Sequence, residues 1–222
     1  MSGLVTLDVG GVLFDMDGVL ISSIGSVNRS WRRWAKHYGV PNADTFQVPH
    51  GIRATDIISM LKPDLDPHEG LRAIEDIEMV DVDDLKVLPG ARSLLESLPP
   101  ELWAIVTSAT GRLARERLRV AGLPTPERMI SAEMVERGKP DPEPYRRGAE
   151  LVHSPAADCL VVEDAPSGVG AGIAAGCRVL GVLGTHQEDE LRAAGASWVV
   201  RSLESVSAHT RPNGLTLSLD TL

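Results

Sequence analysis

The chain has 222 residues, 43% of them hydrophobic and 24% charged, a globular balance with room for one α/β core and a smaller second unit. A net charge of -9 argues against a general nucleic-acid binder, which needs a basic face, but leaves small anionic substrates open because a pocket can be locally positive. No stretch nears the ~18 apolar residues of a membrane span, and the opening MSGLVTLDVGG lacks the basic region and apolar run of a secretory signal.

Short apolar runs alternate with amphipathic segments along the chain. VLFD near Val12, LWAIVTS from Leu102, CLVVED from Cys159, CRVLGVLG from Cys177 and SWVV from Ser197 are nearly continuous, as suits parallel strands buried on both faces. Helical patterns cover 90–98, 111–121, 143–152, 167–175 and 188–194. Strand and helix in repeated order predict a doubly wound, Rossmann-like parallel α/β core. Residues 23–86 break the rhythm with helical stretches at 27–38, 54–61 and 68–80, separated by Pro41, Pro49, Pro63 and Pro67. This predicts a small helical cap inserted after the first strand, with 1–22 and 87–222 forming the core. The tail RPNGLTLSL carries a turn signal at Asn213-Gly214 and predicts an edge hairpin without chemistry.

The chemistry gathers at strand ends. VLFDMDGVL closes a buried strand with Asp15 and Asp17, and Gly18 permits a sharp turn. Ligands of open parallel sheets bind outside the C-terminal strand ends. Two close carboxylates there share either a proton or a cation, and oxygen-only donors suit Mg²⁺; the bland alternative is an Asx-turn. VVEDAPSG ends another strand with Glu163 and Asp164, either of which could also cap the following helix. If the two strands are neighbours, the converging carboxylates call for a divalent metal. AIVTSAT ends in Thr107, Ser108 and Thr110 before a helix, where hydroxyls and N–H groups suit an anion, or simply an N-cap. In RGKPDPEPY, Lys139 could neutralise both an anion and the acids, although a Lys-Pro loop by itself is ordinarily solvent-exposed.

DMDGV, VTSA, GKPDPEPY and VVEDAPSG, in that order, resemble the four motifs of the haloacid dehalogenase superfamily. HGIR at residues 50–53, EDAPSGV and the tail AGASWVV…PNGLTLSL are similar to its sugar- and polyol-phosphatase branch, which includes 2-deoxyglucose-6-phosphate phosphatase and glycerol-1-phosphatase. The resemblance implies an Asp15 nucleophile that forms an aspartyl-phosphate, Asp17 as general acid/base, and Lys139 stabilising charge. It implies Mg²⁺ held by the Asp15 carboxylate, the Asp17 backbone carbonyl and Asp164, with Glu163 nearby or acting through water. Ser108 and the Ala109 N–H are expected on phosphoryl oxygens, with Thr107 as the alternative hydroxyl. His50, Gly51 and Arg53 would reach the substrate from the cap. Val19 stands where many relatives have Thr, and Ile21 to Ser23 replaces an Asp-Ser pair, so Ser22 and Ser23 are candidates to face the cap.

The implied activity is hydrolysis of small sugar or polyol phosphates by a cytoplasmic monomer. A β-phosphoglucomutase-like phosphomutase shares the motifs and is the alternative; a non-catalytic phosphate-binding module and a dehalogenase fit the acids less well. GVGAGIAAG from Gly168 follows the acidic pair inside a helical pattern and reads as close helix–sheet packing rather than a dinucleotide loop. Trp31 and Trp34 read as cap core. His37, His68, His153, His186 and His209 have no metal spacing and read as surface or incidental, and Cys159 and Cys177 as buried thiols.

Overall fold

A computed structural model describes residues 3–212 and 214–222. The chain opens with β1 (Gly3–Val9), β2 (Gly11–Phe14) and the short β3 (Ile21–Ser22). Three helices follow: α1 (Ile24–His37), α2 (Ala54–Leu61) and α3 (Pro67–Glu78). Next come β4 (Lys86–Val87), α4 (Ala91–Ser97), β5 (Trp103–Val106), α5 (Gly111–Ala121) and β6 (Met129–Ile130). Then α6 (Glu143–Leu151), β7 (Cys159–Glu163), α7 (Pro166–Ala175), β8 (Arg178–Val182), α8 (Glu188–Ala193) and β9 (Trp198–Val200) alternate. β10 (Val206–Arg211) and β11 (Gly214–Thr221) end the chain.

The main sheet is six-stranded and parallel, in the order β6-β5-β2-β7-β8-β9, which is the doubly wound architecture expected from the sequence. Its continuous apolar runs divide by parity between two cores, because successive side chains on a strand point to opposite faces. Val12, Phe14, Ile105, Leu160, Val162 and Leu180 face α4, α5 and β11, while Leu13, Val106, Val161 and Val179 face α6, α7 and α8. Two of the α7 glycines, Gly168 and Gly172, sit in close contact with β7 and β8. A Cβ on Gly172 would press into Val161 and Val179, and one on Gly168 would strike the Glu163 carboxylate.

One feature takes a place that the sequence reading does not specify. The C-terminal hairpin forms, but outside the main sheet: β11 pairs antiparallel with both β10 and β1 in a separate three-stranded sheet, β1-β11-β10. The inward side chains of β11, Leu215, Leu217 and Leu219, cover one face of the main core instead. Asn213, and residues 1 and 2 of the opening segment, lie outside the described residues.

Helices α1, α2 and α3 pack around their own cluster of Trp31, Trp34, Ile57, Ile58 and Ile74. The two tryptophan rings lie 5.4 Å apart, and the Trp34 indole N–H donates to Gly70 O at 3.0 Å, satisfying a polar group that burial would otherwise leave costly. The two chain crossings between this unit and the sheet run side by side, pairing Ile21 with Val87 and Ser22 with Lys86. Among the described residues, no helix is long and apolar enough to cross a membrane.

Candidate active site

β2 lies between β5 and β7, so the loops after these three strands meet at one edge of the sheet. The ladder carries Asp15 to that edge, its N–H donating to Val162 O at 3.0 Å. The chain then turns tightly: Gly18, at φ +90°, donates to Ile21 O at 2.7 Å, and Ile21 N donates to Met16 O at 3.1 Å. Met16, Val19 and Leu20 fill the core beneath the turn. The side chain at position 19, a departure from the family pattern, is therefore a packing residue.

Lys139 reaches the same point, with 2% of its surface exposed. Its three ammonium protons meet three acceptors: Asp15 Oδ1 at 2.6 Å, Glu163 Oε1 at 2.7 Å and Val106 O at 3.0 Å. Burial works against the charged lysine, yet the Asp15 and Glu163 carboxylates outweigh it and raise its pKa. Far from being a solvated loop residue, Lys139 is the one cation of a buried acidic cluster. Glu163 is consumed in holding it. Its Oε1 also accepts from the Tyr145 hydroxyl at 2.8 Å, and its Oε2 accepts from Asp164 N at 3.0 Å and Ala165 N at 3.1 Å. Burial, then the Glu163 and Asp15 charges, push the Tyr145 hydroxyl well above its ordinary pKa, so it stays a donor.

Asp15, Glu163 and Asp164 each offer a carboxylate oxygen within 4.8 Å of the others. Burial, with Glu163 and Asp164 adding repulsion against the pull of Lys139, lifts Asp15 well above the usual carboxylate range. Burial and Glu163 lift Asp164 to about 7, opposed by hydrogen bonds from Thr185. Buried oxygen donors of this kind fit a hard divalent cation, which would neutralise what Lys139 alone does not. Gly18 lets the Asp164 carboxylate pack directly against the turn after β2: a Cβ there would collide with it. Because Glu163 is saturated with hydrogen bonds, Asp15 and Asp164 are the side chains suited to ligation.

Asp17, in contrast, points to the cap side. It accepts from Ser23 Oγ at 2.7 Å, and Arg117 Nη1 donates to its two oxygens at 3.0 and 2.9 Å. Neither contact is evident from the sequence, which marks Ser23 only as a candidate to face the cap. The two hydroxyls after β5 have different partners. Thr107 stands at the strand end and accepts from Ala109 N at 3.1 Å, whereas Ser108 Oγ turns away to donate to Gly51 O at 2.8 Å. Thr110 caps α5, accepting from Leu113 N at 3.4 Å, and also bonds Glu75 of α3.

The HGIR segment closes over these loops. Gly51 sits at φ +77°, with Ser167 where a Cβ would fall, and Ser167 Oγ donates to His50 O at 3.4 Å. Arg53 forms a two-point pair with Asp56 at 2.8 and 2.9 Å, and its Nη1 donates to Val135 O and Glu136 O, each at 3.1 Å. The arginine thus ties the helical unit to the core main chain. Its guanidinium lines the cavity but is committed to protein partners. His186, read as incidental, borders the site after all: its Nδ1 lies 3.2 Å from Asp164 O, and its ring centroid is 6.4 Å from that of His50. Thr185 and His186, in the loop after β8, sit in no motif that would mark them in one sequence.

Between the helical unit and the strand ends lies a cavity of about 540 Å³, with Asp15, Asp17, Thr107 and Ser108 at its floor and Trp31, Ile57, Leu71 and Ile74 above. A carboxylate at a strand end, a buried lysine and a buried acidic trio that could hold a cation, all beneath one cavity, suit the handling of phosphoryl groups. The chain belongs to the haloacid dehalogenase-like hydrolases, whose family model matches residues 12–182. It is 39% identical over 209 residues to Hexitol phosphatase A of Escherichia coli (strain K12), covering 92% of this chain and 96% of that protein. It is 34% identical to Glycerol-1-phosphate phosphohydrolase 2 of Saccharomyces cerevisiae, covering 91% of this chain and 86% of that one. Among solved structures, a hydrolase from Pseudomonas syringae superposes with a TM-score of 0.78 at 25% identity, covering 87% of this chain and 93% of that one.

Proposed function

We propose that this protein is a Mg²⁺-dependent phosphatase that hydrolyses small sugar or polyol phosphates through an aspartyl-phosphate on Asp15. It is a phosphoric monoester hydrolase, as its named relatives are. The observation that carries the finer reading is the buried convergence of Asp15, Lys139, Glu163 and Asp164 beneath the cavity.

In this reading Asp15 attacks phosphorus in line. The phosphorus–oxygen bond to the sugar breaks as Asp17 gives its proton to the leaving oxygen. Asp17 then takes a proton from the water that hydrolyses the aspartyl-phosphate, which frees phosphate and restores Asp15. Thr107, with main-chain N–H groups of its loop, orients the phosphoryl oxygens. Lys139 neutralises charge on both the nucleophile and the phosphate, held in place by Glu163 and Tyr145. Asp15, Asp164 and the Asp17 main-chain carbonyl would hold Mg²⁺, which when bound supplies the positive charge that lets two anions approach. Residues 23–86 act as the cap, hinged at the paired crossings, with His50, Gly51 and Arg53 closing it over the substrate and excluding bulk water. Two buried free cysteines, Cys159 and Cys177, suit a reducing, cytoplasmic setting.

A phosphate-release screen over hexitol, hexose, 2-deoxyhexose and glycerol phosphates tests the reading, with Asp15→Asn as control. Release of free phosphate from at least one of these, lost in Asp15→Asn, is the expected result. An isomerised sugar phosphate in place of free phosphate would establish the phosphomutase alternative. Undiminished release by Asp15→Asn would overturn the mechanism.

A further inference from the structure

The contact that neither the motifs nor the proposed chemistry accounts for is the arginine on Asp17. Arg117 lies on α5 in phase with Leu113, Ala114 and Leu118, the residues that the helix buries, and is itself only 6% exposed. An arginine so placed costs several kcal/mol unless its charge is paired. Two carboxylates pair it, from different parts of the fold. Nη1 takes both oxygens of Asp17, and Nη2 lies 3.5 Å from Glu78 Oε2 at the end of cap helix α3. Glu78 is buried as well, between Arg117 and the cap core. Asp17 is held from a third side by Ser23, on the first crossing into the cap, and keeps 31% of its side chain exposed on the cavity side. Around this bridge, Glu75 of α3 bonds Thr110 and lies 3.7 Å from Arg112.

We infer that Arg117 is a positioning residue for Asp17, and that Glu78 makes it respond to the cap, so that seating α3 against α5 sets the orientation of the proton-transfer carboxylate. The inference rests on the reading of Asp17 as the acid/base. Nη1, shared between both oxygens, centres the Asp17 carboxylate on one end of the guanidinium, while Nη2 turns toward Glu78. Ser23 fixes one oxygen from the hinge. Glu78 fixes the far side of the guanidinium from the cap. Asp17 is therefore presented to the leaving oxygen only when hinge, core helix and cap helix are all in register. A structural ion pair between cap and core would share the geometry, but it would have no reason to end on the one carboxylate that serves proton transfer.

The test uses the full-length Mg²⁺-loaded enzyme and the variants Arg117→Lys, Arg117→Met, Glu78→Gln and Asp17→Ala. Each is assayed on a hexitol phosphate and on p-nitrophenyl phosphate, whose leaving group needs no proton. Arg117→Met and Glu78→Gln are expected to lower kcat on the hexitol phosphate by about 10- to 100-fold with KM changed less than about threefold, a fraction of what general acid–base catalysis contributes. In single turnovers of p-nitrophenyl phosphate, the phosphorylation step should lose at least about fivefold less. Arg117→Lys should recover part of the loss, having the charge without the second nitrogen that faces Glu78. Should Arg117→Met not fold, Glu78→Gln and Arg117→Lys decide the matter. Equal losses on both substrates, or a fall in Tm with the ratio of the two activities unchanged while Asp17→Ala destroys hexitol phosphate turnover, would reduce Arg117 to a fastener. If Asp17→Ala itself turns over hexitol phosphate normally, the acid/base reading fails instead.

Discussion

Replacing Lys139 with methionine removes a single positive charge from a place where three buried carboxylates crowd. Lys139 lies 2.6 Å from Asp15 and 2.7 Å from Glu163, and methionine fills nearly the same volume without the charge. At an effective dielectric constant of about 20, each contact is worth roughly 6 kcal/mol before the cost of stripping water from the ions. Cutting one partner out of a buried pair costs about 3–5 kcal/mol in practice, because the remaining charges stay buried. For a chain of this size that lowers Tm by roughly 6–20 °C. The deficit should depend on pH. Asp15 already sits above the usual carboxylate range, held there by burial and its acidic neighbours, and losing Lys139 lifts it further. A raised folded-state pKa means that the folded protein keeps a proton the unfolded chain has lost, so stability falls as pH rises through that window. Thermal unfolding of metal-free wild type and Lys139→Met at pH 5 and pH 8 should show a smaller gap at pH 5. Turnover should fall by at least about 10²-fold, the scale of a lost oxyanion contact. A variant as stable as wild type at pH 8, or a gap that does not narrow at pH 5, would refute the reasoning.

Thr107→Val should lower kcat/KM on a sugar phosphate by roughly 10- to 100-fold and Ser108→Ala by less than about threefold, since only the Thr107 hydroxyl stays at the strand end; steady-state kinetics reversing that order would return the role to Ser108. Arg53→Ala cuts the tie from the cap to the carbonyls of residues 135 and 136 and should raise KM about 10-fold with kcat less affected, which substrate titration checks. For the metal-free protein, Asp164 at about 7 and the raised Asp15 make stability fall from pH 5 to pH 8, and Mg²⁺ should raise Tm more at pH 8, where it competes with fewer protons. An equal Tm shift at both pH values in calorimetry would count against Asp15 and Asp164 as the ligands.

The α/β core was legible because its strands are buried on both faces, and a run such as CLVVE leaves little choice between strand and surface helix. Asp15, Glu163 and Asp164 stood out because acids that end such runs violate the apolar pattern. Lys139 was visible only through its motif, since a lysine before a proline looks solvated until the fold buries it. Arg117 was missed for a subtler reason. RLARERLRVA is rich in arginine, and Arg112, Arg115 and Arg119 fall on the outer face. The signal was present in the phase: position 117 shares the buried stripe with Leu113 and Leu118, and a charge there requires a buried partner. Tyr145 lay within the quoted GKPDPEPY, but its hydroxyl contact with Glu163 depends on how α6 packs over β2 and β5. The pairing of β1 with β11 joins opposite ends of the chain, and two alternating strands contain nothing that names each other as partners.

The most direct measurement is acid quenching of Asp17→Asn, in which hydrolysis of the intermediate should be slowed, during its first turnover of phosphoryl-radiolabelled p-nitrophenyl phosphate, whose leaving group needs no proton from Asp17, followed by peptide mapping. The account predicts protein-bound label on the peptide containing Asp15, released by hydroxylamine as an acyl-phosphate should be, and absent when Asp15 is also changed to Asn. Phosphate release by the wild type with no label trapped on Asp15, together with unchanged turnover in Asp15→Asn, would contradict it.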